Sequence, residues 1–196
     1  MIEKELNEKQ KAKKDRILQE STELFSFKGY DDTTISQIAK AASISFGSVF
    51  TYFETKEELF EKVITQPFPD VKEQFSGLTK GNVITAEYIE SIVERHIIFF
   101  VKNRLYLQLI QQVLGNPERF SDLSEKLNEI AVYMRKEIRE LVKLGQKQNL
   151  LDLESSEAVA TGYISFLIGM RMFMTDSEES SIWMELKPIA LKILGL

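Results

Sequence analysis

Residues 34–53 read TISQIAKAASISFGSVFTYF, and this stretch decides the fold of the N-terminal part of the chain. Thr34 is followed three residues later by Gln37, which is the pattern of a capping box. In such a box the hydroxyl and the amide satisfy free backbone N–H groups at the start of a helix. Apolar residues then recur at helical spacing as far as Ala42. The first half of the stretch therefore predicts a short amphipathic helix.

A second helix start follows after a tight turn at Ser43. Ser45 is another N-cap candidate, and apolar residues recur at helical spacing from Phe46 onward. Two short helices joined in this way are typical of a helix-turn-helix, whose second member is the recognition helix. Thr55, with Glu58 three residues later, predicts a further capping box and a third helix. These closely spaced helix starts predict a compact helical head.

The composition favours an all-α protein throughout. The chain has 196 residues, 43% of them hydrophobic, with four prolines and nine glycines, and apolar residues recur mainly at three- and four-residue spacing. We predict about nine helices: a three-helix head over residues 1–66 and a helical bundle over residues 67–196. The prolines at 67 and 69 mark the expected hinge. Asp176 or Ser177 is the expected cap of the last helix.

The residue types that are missing exclude several function classes. There is no cysteine, which excludes disulfides, thiolate catalysis and cysteine-based metal sites, and which fits a reducing cytoplasm. With His96 as the one histidine, neither a nucleophilic triad nor a histidine-rich metal site can form. We therefore expect that the protein is not an enzyme and that it binds neither a metal nor a cofactor. The charged N-terminus and the lack of a long apolar run predict a soluble, cytoplasmic protein without a membrane segment.

The charge of the chain argues against a strongly basic nucleic-acid binder, because the formal net charge is −5. A local cluster of cations nevertheless precedes the first apolar helix. Taken alone, such a run is better explained as a solvated face. Beside a helix-turn-helix we interpret the run as an arm that binds DNA phosphates. Its members are Lys9, Lys11, Lys13, Lys14 and Arg16.

Residues 27–60 contain four fragments in order: a Gly-aromatic pair, TTxxxIAxxA, SxGSVFxYF and TKEELF. Together they resemble the DNA-binding head of TetR-family transcriptional regulators, and the resemblance covers about the first third of the chain. It implies a one-component regulator, usually a repressor, that binds a palindromic double-stranded DNA operator as a homodimer. It also implies that a small molecule in the C-terminal bundle releases the DNA.

The resemblance assigns DNA contacts position by position. The residues expected at the DNA backbone are Thr34, Ser45, Gly47, Tyr52 and Lys56, and those expected at base edges are Phe46, Ser48 and Thr51. Three positions depart from the family pattern. Ser43 replaces the usual turn glycine, Phe50 lacks the hydroxyl of the usual tyrosine, and Phe46 stands where a polar or basic residue is common. Phe50 and Phe53 are interpreted as core residues.

The C-terminal part carries weaker signals. His96 on an apolar helix face is more often a hydrogen-bonded packing residue than a polar anchor in a ligand pocket. The candidate pocket for a small apolar effector lies among the helices that carry His96, Phe100, Tyr133 and Phe166. The apolar segment 157–174 and Trp183 predict a homodimer seam.

One alternative from another class stays open at this point. The acidic balance is compatible with a protein-interaction module that keeps the fold without binding DNA. A gel-shift with the upstream region of its own gene separates the two hypotheses.

Overall fold

The computed structural model describes residues 2–152 and 155–196, the first six of them as backbone only. Within these residues the chain is all-α, with nine helices of seven residues or more and two single helical turns, and no strand. In chain order the segments are α1 (Ile2–Asp32), α2 (Ile35–Ala41), α3 (Phe46–Val49), α4 (Lys56–Thr65), α5 (Phe68–Phe75), α6 (Ala86–Lys102), α7 (Arg104–Leu114), α8 (Ser121–Lys147), α9 (Ser156–Phe173), α10 (Ile182–Glu185) and α11 (Lys187–Ile193). The predicted fold class is confirmed.

Two compact units make up the chain. The N-terminal unit runs up to Pro67 and also includes residues 108–124, whereas the C-terminal unit comprises residues 68–107 and 125–196. The assignment of separate functions to residues 1–66 and 67–196 stays a prediction. That residues 108–124 join the N-terminal unit is a feature that the sequence did not suggest.

Helix α1 is the scaffold of the N-terminal unit. Its apolar stripe buries Ile17 and Phe25 completely, and α2 and α4 pack against it. Each such side chain contributes roughly 1.5–3 kcal/mol through burial. The apolar spacing around Ile17 predicts a helix over residues 8–28 that a left-handed residue at Gly29 ends, but the helix begins as early as Ile2. The predicted break is confirmed, because Gly29 has φ 84°, a conformation that favours glycine.

In the C-terminal unit, α6, α9 and α11 pack against one another. The spacing of apolar residues predicts a helix over residues 85–103 with a face that includes Ile89, Ile92 and Val93, and all three are fully buried in α6. Among the described residues, no helix is both long and apolar enough to span a membrane.

The end of the chain differs from the prediction. The expected cap at Asp176 or Ser177 was wrong, since the next helical segment, α10, starts only at Ile182. The Ser177 carbonyl instead accepts a hydrogen bond of 2.7 Å from the Trp183 indole N–H. The predicted single helix is divided between α10 and α11 because Pro188, in the first turn of α11, has no N–H to continue the hydrogen bonding of α10.

Candidate nucleic-acid interface

The first helix of the motif, α2, starts with the predicted capping box. The Gln37 backbone N–H donates to Thr34 Oγ1 at 3.2 Å, and the Thr34 N–H donates to Gln37 Oε1 at 3.0 Å. A cap of this kind contributes about 1 kcal/mol. Ile38 and Ala39 are buried, so the helix is anchored while the Thr34 side chain remains exposed.

The turn after α2 has the geometry of a left-handed residue. Ser43 has φ 56°, the conformation for which glycine is the residue of lowest cost. The guanidinium of Arg16 donates to the Ser43 hydroxyl at 3.3 Å. The helix-turn-helix therefore tolerates a serine in place of the family's usual glycine, and the same contact places a cation of α1 beside the turn.

The recognition helix α3 is a single turn with Ser45 as its N-cap. The Ser45 hydroxyl accepts a hydrogen bond of 3.3 Å from the Ser48 backbone N–H, and the two hydroxyls lie 2.6 Å apart. Gly47 is exposed, and a Cβ at this position would meet no atom within 4 Å. The N-terminal end of α3 is thus open to a DNA backbone.

Two phenyl rings project from α3 into solvent. Phe46 is 55% exposed and Phe50 is 43% exposed, and their rings meet edge to face at a centroid distance of 5.2 Å. The core interpretation was correct for Phe53, which is buried, but wrong for Phe50. Val49 and Phe53, four residues apart, occupy the buried face, and Phe50 is turned by about 100° from Val49 in a helix.

Helix α4 begins at the cap Thr55, whose hydroxyl accepts from the Glu58 N–H at 3.0 Å. The Glu58 carboxylate accepts from the backbone N–H of Glu54, at 2.6 Å, rather than from that of Thr55. The ammonium of Lys56 lies 4.3 Å from the centroid of the Tyr30 ring and 3.4 Å from the Asp31 carbonyl oxygen. The predicted phosphate ligand therefore rests on α1 in the free protein.

The cations of the N-terminal run are exposed along α1. Lys14 lies 5.5 Å from the centroid of the Phe53 ring, which follows the recognition helix, and Arg16 contacts the turn at Ser43. The run thus reaches the helix-turn-helix, where positive charge attracts phosphates although the whole chain is acidic.

The eight predicted DNA contacts lie in one short segment, from Thr34 to Lys56. Four of them other than Phe46 are exposed, namely Thr34, Ser45, Gly47 and Thr51, and three are half-buried, namely Ser48, Tyr52 and Lys56. Their individual roles stay predictions.

Comparison with known proteins identifies the family. The model "Bacterial regulatory proteins, tetR family" matches residues 17–63. The negative transcriptional regulator IcaR of the biofilm operon icaADBC in Staphylococcus aureus is 31% identical over 153 residues, which cover 72% of this chain and 81% of IcaR. The chain belongs to the TetR family of bacterial transcriptional regulators. A second relative of this TetR-family regulator, the HTH-type regulator YhgD of Bacillus subtilis, is 24% identical over 68% of the chain and 71% of YhgD.

Solved structures agree on the fold of this TetR-family regulator. A tetR-family regulatory protein from Rhodococcus RHA1 is 22% identical, with a TM-score of 0.76 over 93% of this chain and 97% of that one. The fatty acid degradation regulator FadR of Bacillus halodurans is 17% identical, with a TM-score of 0.71 over 93% and 94%. At these identities the likeness concerns the fold alone.

The predicted effector residues of this TetR-family regulator lie in the C-terminal unit. His96 is fully buried and Phe100 nearly so, and the ring of Phe75 is a neighbour of both, at centroid distances of 4.1 and 6.4 Å. Tyr133 and Phe166 are half-buried. The Tyr133 hydroxyl donates a long hydrogen bond of 3.4 Å to the Lys72 carbonyl.

His96 has a partner at each ring nitrogen. Its Nε2 lies 3.0 Å from the Gln74 carbonyl oxygen and its Nδ1 lies 3.0 Å from the Tyr163 hydroxyl. A carbonyl can only accept, so Nε2 carries the proton and Nδ1 accepts from Tyr163. Burial lowers the pKa of His96 to about 3, against a smaller opposing effect of the Gln74 carbonyl. This geometry agrees with the packing role that the sequence favoured.

Cavities of the C-terminal unit lie along α6. One of 520 Å³ is lined by residues that include Gln74, Arg95 and Phe99, and one of 300 Å³ by residues that include Lys102 and Trp183. The four predicted effector residues do not line these two cavities.

Three features of this regulator escaped the sequence analysis. The exposure of Phe50 could have been suspected from its position one residue after Val49. The buried Tyr106 hydroxyl, which has no hydrogen-bond partner among the described residues, has no sequence signal. Neither has the bidentate pair of Arg119 with Asp31, because these residues are 88 positions apart.

Proposed function

We propose that this regulator binds a palindromic DNA operator as a homodimer, represses transcription there, and is released from DNA by a small apolar effector. The open N-terminal end of α3 is the observation that carries the DNA-binding part. Ser45, Phe46 and Gly47 are exposed there, and Thr51 is exposed after the C-terminal end of α3.

DNA binding follows from the chemistry of this surface. The first turns of α3 and α4 have backbone N–H groups without helical partners, and such groups bind phosphate oxygens. The cations of α1 add attraction to the duplex, while the side chains of α3 enter the major groove and read base edges. Phe46 has no hydrogen-bonding group, so it reads thymine through the C5-methyl group.

Repression is supported by the relative IcaR, which is described as a negative regulator. The operator and the target genes of this chain need not be those of IcaR. Only the repressor role is taken from IcaR, as part of the proposal.

Dimerisation is supported by the exposed apolar surface of α9 and α11. Phe173 is 90% exposed, Met172 is 42% exposed and Ile189 is 48% exposed. Apolar surface of this kind marks an interaction site. In a two-fold dimer the same surface of both copies forms the interface, and the two N-terminal heads then face the two half-sites of the operator.

The effector is proposed to bind in the C-terminal unit, among the helices that carry His96, Phe100, Tyr133 and Phe166. Pockets between helices are mostly apolar, with a few polar groups that fix orientation. A ligand that binds more tightly to the conformer in which the spacing of the two heads does not match the two half-sites shifts the population away from the conformer that binds DNA. Titration of the operator complex with a panel of apolar compounds is expected to find one that releases the DNA.

The experiment that tests the proposal measures binding to the upstream region of the chain's own gene by fluorescence anisotropy. We expect tight binding that weakens steeply with salt, because each phosphate contact releases condensed counterions. Lys56→Ala should lower the slope of log K against log salt by about 1.8 for the dimer, because one phosphate contact is lost in each protomer and each is worth about 0.9. Lys136→Ala, on the exposed surface of α8, is the matched control and should leave the slope unchanged.

Absence of binding by the wild type would overturn the proposal and favour the protein-interaction module. Binding with an unchanged slope in Lys56→Ala would overturn the assignment of Lys56 alone.

A further inference from the structure

A cluster of charged and aromatic groups holds the start of α4 against the end of α1, and we call it the Tyr30 cluster. Its members are Tyr30, Asp31, Lys56, Glu57 and Arg119. The Tyr30 hydroxyl donates to the Glu57 carboxylate at 2.6 Å, and the Lys56 ammonium lies over the Tyr30 ring. Arg119 comes from the segment 108–124, and its guanidinium is 4.9 Å from the centroid of the same ring.

Asp31 is the acceptor for both cations of the cluster, through different oxygens. Its carboxylate takes the guanidinium of Arg119 in a bidentate pair with distances of 2.5 and 2.6 Å. Its backbone carbonyl accepts from the Lys56 ammonium at 3.4 Å. The carboxylate and the carbonyl that Lys56 contacts belong to the same residue, and the carboxylate is occupied by Arg119.

The pKa of Asp31 agrees with this assignment of its carboxylate to Arg119 and its carbonyl to Lys56. The pKa of the Asp31 carboxyl is held below its usual value, first by the hydrogen bonds from Arg119 and to a smaller extent by the charge of Lys56. Lys56 is thus within electrostatic reach of a carboxylate that it does not bind. Planar bidentate pairing is the arrangement in which arginine is favoured over lysine, so Arg119 is the natural occupant.

We infer that Arg119 is a positioning residue for operator binding: it occupies the Asp31 carboxylate and so leaves the Lys56 ammonium available to a DNA phosphate. The inference rests on the proposed function, because it takes Lys56 as a phosphate contact. Within the described residues, Lys56 contacts the face of the Tyr30 ring and makes one long hydrogen bond to the Asp31 carbonyl, and it pairs with no carboxylate. A phosphate competes well with both, since the pair is then between two full charges.

Without Arg119 the competition changes. The Asp31 carboxylate becomes unpaired, and the nearest cation that can reach it is Lys56. A carboxylate–ammonium pair withdraws Lys56 from the DNA, and the loss of the guanidinium removes one positive charge near the N-terminus of α4, where phosphate is expected to bind. Both effects weaken operator binding.

Arg119→Gln tests the inference in the full-length protein, since glutamine keeps part of the aliphatic stem over the rings and removes the charge. Both Arg119 and Asp31 have exposed side chains, 47% and 69% respectively, so the variants are expected to fold. We expect the operator affinity of Arg119→Gln to fall by about 3- to 10-fold, and the salt slope of the dimer to fall by up to about 1.8, the loss of one phosphate contact in each protomer. Arg119→Lys should retain most of the affinity because it keeps a cation at Asp31.

The double variant Asp31→Asn/Arg119→Gln provides the decisive comparison. The amide cannot form an ion pair with Lys56, so we expect affinity and salt slope to return to within about 2-fold and about 0.3 of the wild-type values, as one recovered contact in each protomer requires. If Arg119 itself contacts phosphate, or only supports the fold, Asp31→Asn will not rescue binding. That result would overturn the inference, as would wild-type affinity in Arg119→Gln.

The outcomes also separate the inference from the proposed function. No operator binding by the wild type overturns both. Wild-type binding together with an unaffected Lys56→Ala variant overturns the inference, because Lys56 then makes no phosphate contact for Arg119 to protect.

Discussion

Two of the three departures of this regulator from its family pattern are exposed phenyl rings, those of Phe46 and Phe50. A residue in the first turn of a recognition helix is expected to face the groove, and Phe46 is 55% exposed there. Its ring can cover a thymine methyl but cannot form a hydrogen bond to a base. The operator should therefore prefer thymine at one position of each half-site.

Selection of binding sites with wild type and Phe46→Ala tests this prediction. We expect the alanine variant to lose a thymine preference of about 1 kcal/mol or more per half-site, the usual cost of a mismatched pair. The melting temperature should change little, because the ring is mostly in solvent. Phe27→Ala is the matched control, since Phe27 is 72% exposed on α1, outside the helix-turn-helix. An unchanged site preference with a lowered melting temperature would mean that Phe46 stabilises the head by packing.

The success of prediction at single residues depended on how local the interaction is. The caps at Thr34, Ser45 and Thr55 were correctly predicted because each involves a partner three residues away. The exposure of Phe50 was missed because a helix of one turn gives too few residues for a period to be read. The Arg119 pair was missed because no sequence pattern links residues so far apart.

Among the helices, α6 has an unusual connection to its neighbours through His96. The His96 ring stacks on Phe75 of α5 at 4.1 Å and accepts a hydrogen bond from Tyr163 of α9. The pKa of His96 is about 3 in the folded state and about 6.5 in the unfolded state. Between these pH values the unfolded chain therefore binds a proton that the folded chain does not bind. Stability from this residue is fully present above pH 6.5 and is lost as the pH falls toward 3.

Urea unfolding at two pH values measures this contribution. Between pH 7 and pH 5, His96 alone should lower the free energy of unfolding by about 2 kcal/mol, because the full slope of about 1.4 kcal/mol per pH unit is reached only below the unfolded pKa of about 6.5. His96→Gln should be less stable than the wild type at pH 7, because it loses the ring contacts. Over the same pH range, the free energy of unfolding of His96→Gln should fall by about 2 kcal/mol less than that of the wild type. Equal pH dependence in the two proteins would contradict the buried neutral histidine.

Helix positions were predicted better than helix ends. The starts of α6 and α9 follow the caps Thr85 and Ser155, within a residue or two of the expected bounds. The last predicted helix failed because its apolar spacing continues across Pro188, whose effect on hydrogen bonding is invisible to a count of apolar residues.

For the molecule as a whole, composition and periodicity were enough to predict the all-α class. They could not predict that residues 108–124 group with the N-terminal unit, because this depends on contacts such as that of Gln112 with the Phe25 carbonyl, at 2.8 Å. Pairings of that kind become visible only once the chain has folded.

The homodimer is the prediction that concerns the whole molecule. Beside the exposed Phe173, helix α9 presents Gly162 and Gly169 on its partly open side. A Cβ at Gly169 would meet no atom within 4 Å, so the single chain has room for a larger side chain there. Small residues of this kind allow a second helix to approach closely. We expect sedimentation to show a dimer at micromolar concentration.

Gly169→Leu separates the interface from the fold. In the single chain the change should be neutral or stabilising by up to about 0.8 kcal/mol, because leucine is the better helix former. In the dimer the added side chain fills the space that the partner helix needs, so the protein should sediment as a monomer. Lys136→Leu adds the same group to the exposed surface of α8 and should leave the dimer intact. A monomeric wild type would contradict the homodimer, whereas a dimer that tolerates both Gly169→Leu and Phe173→Glu would place its interface away from α9.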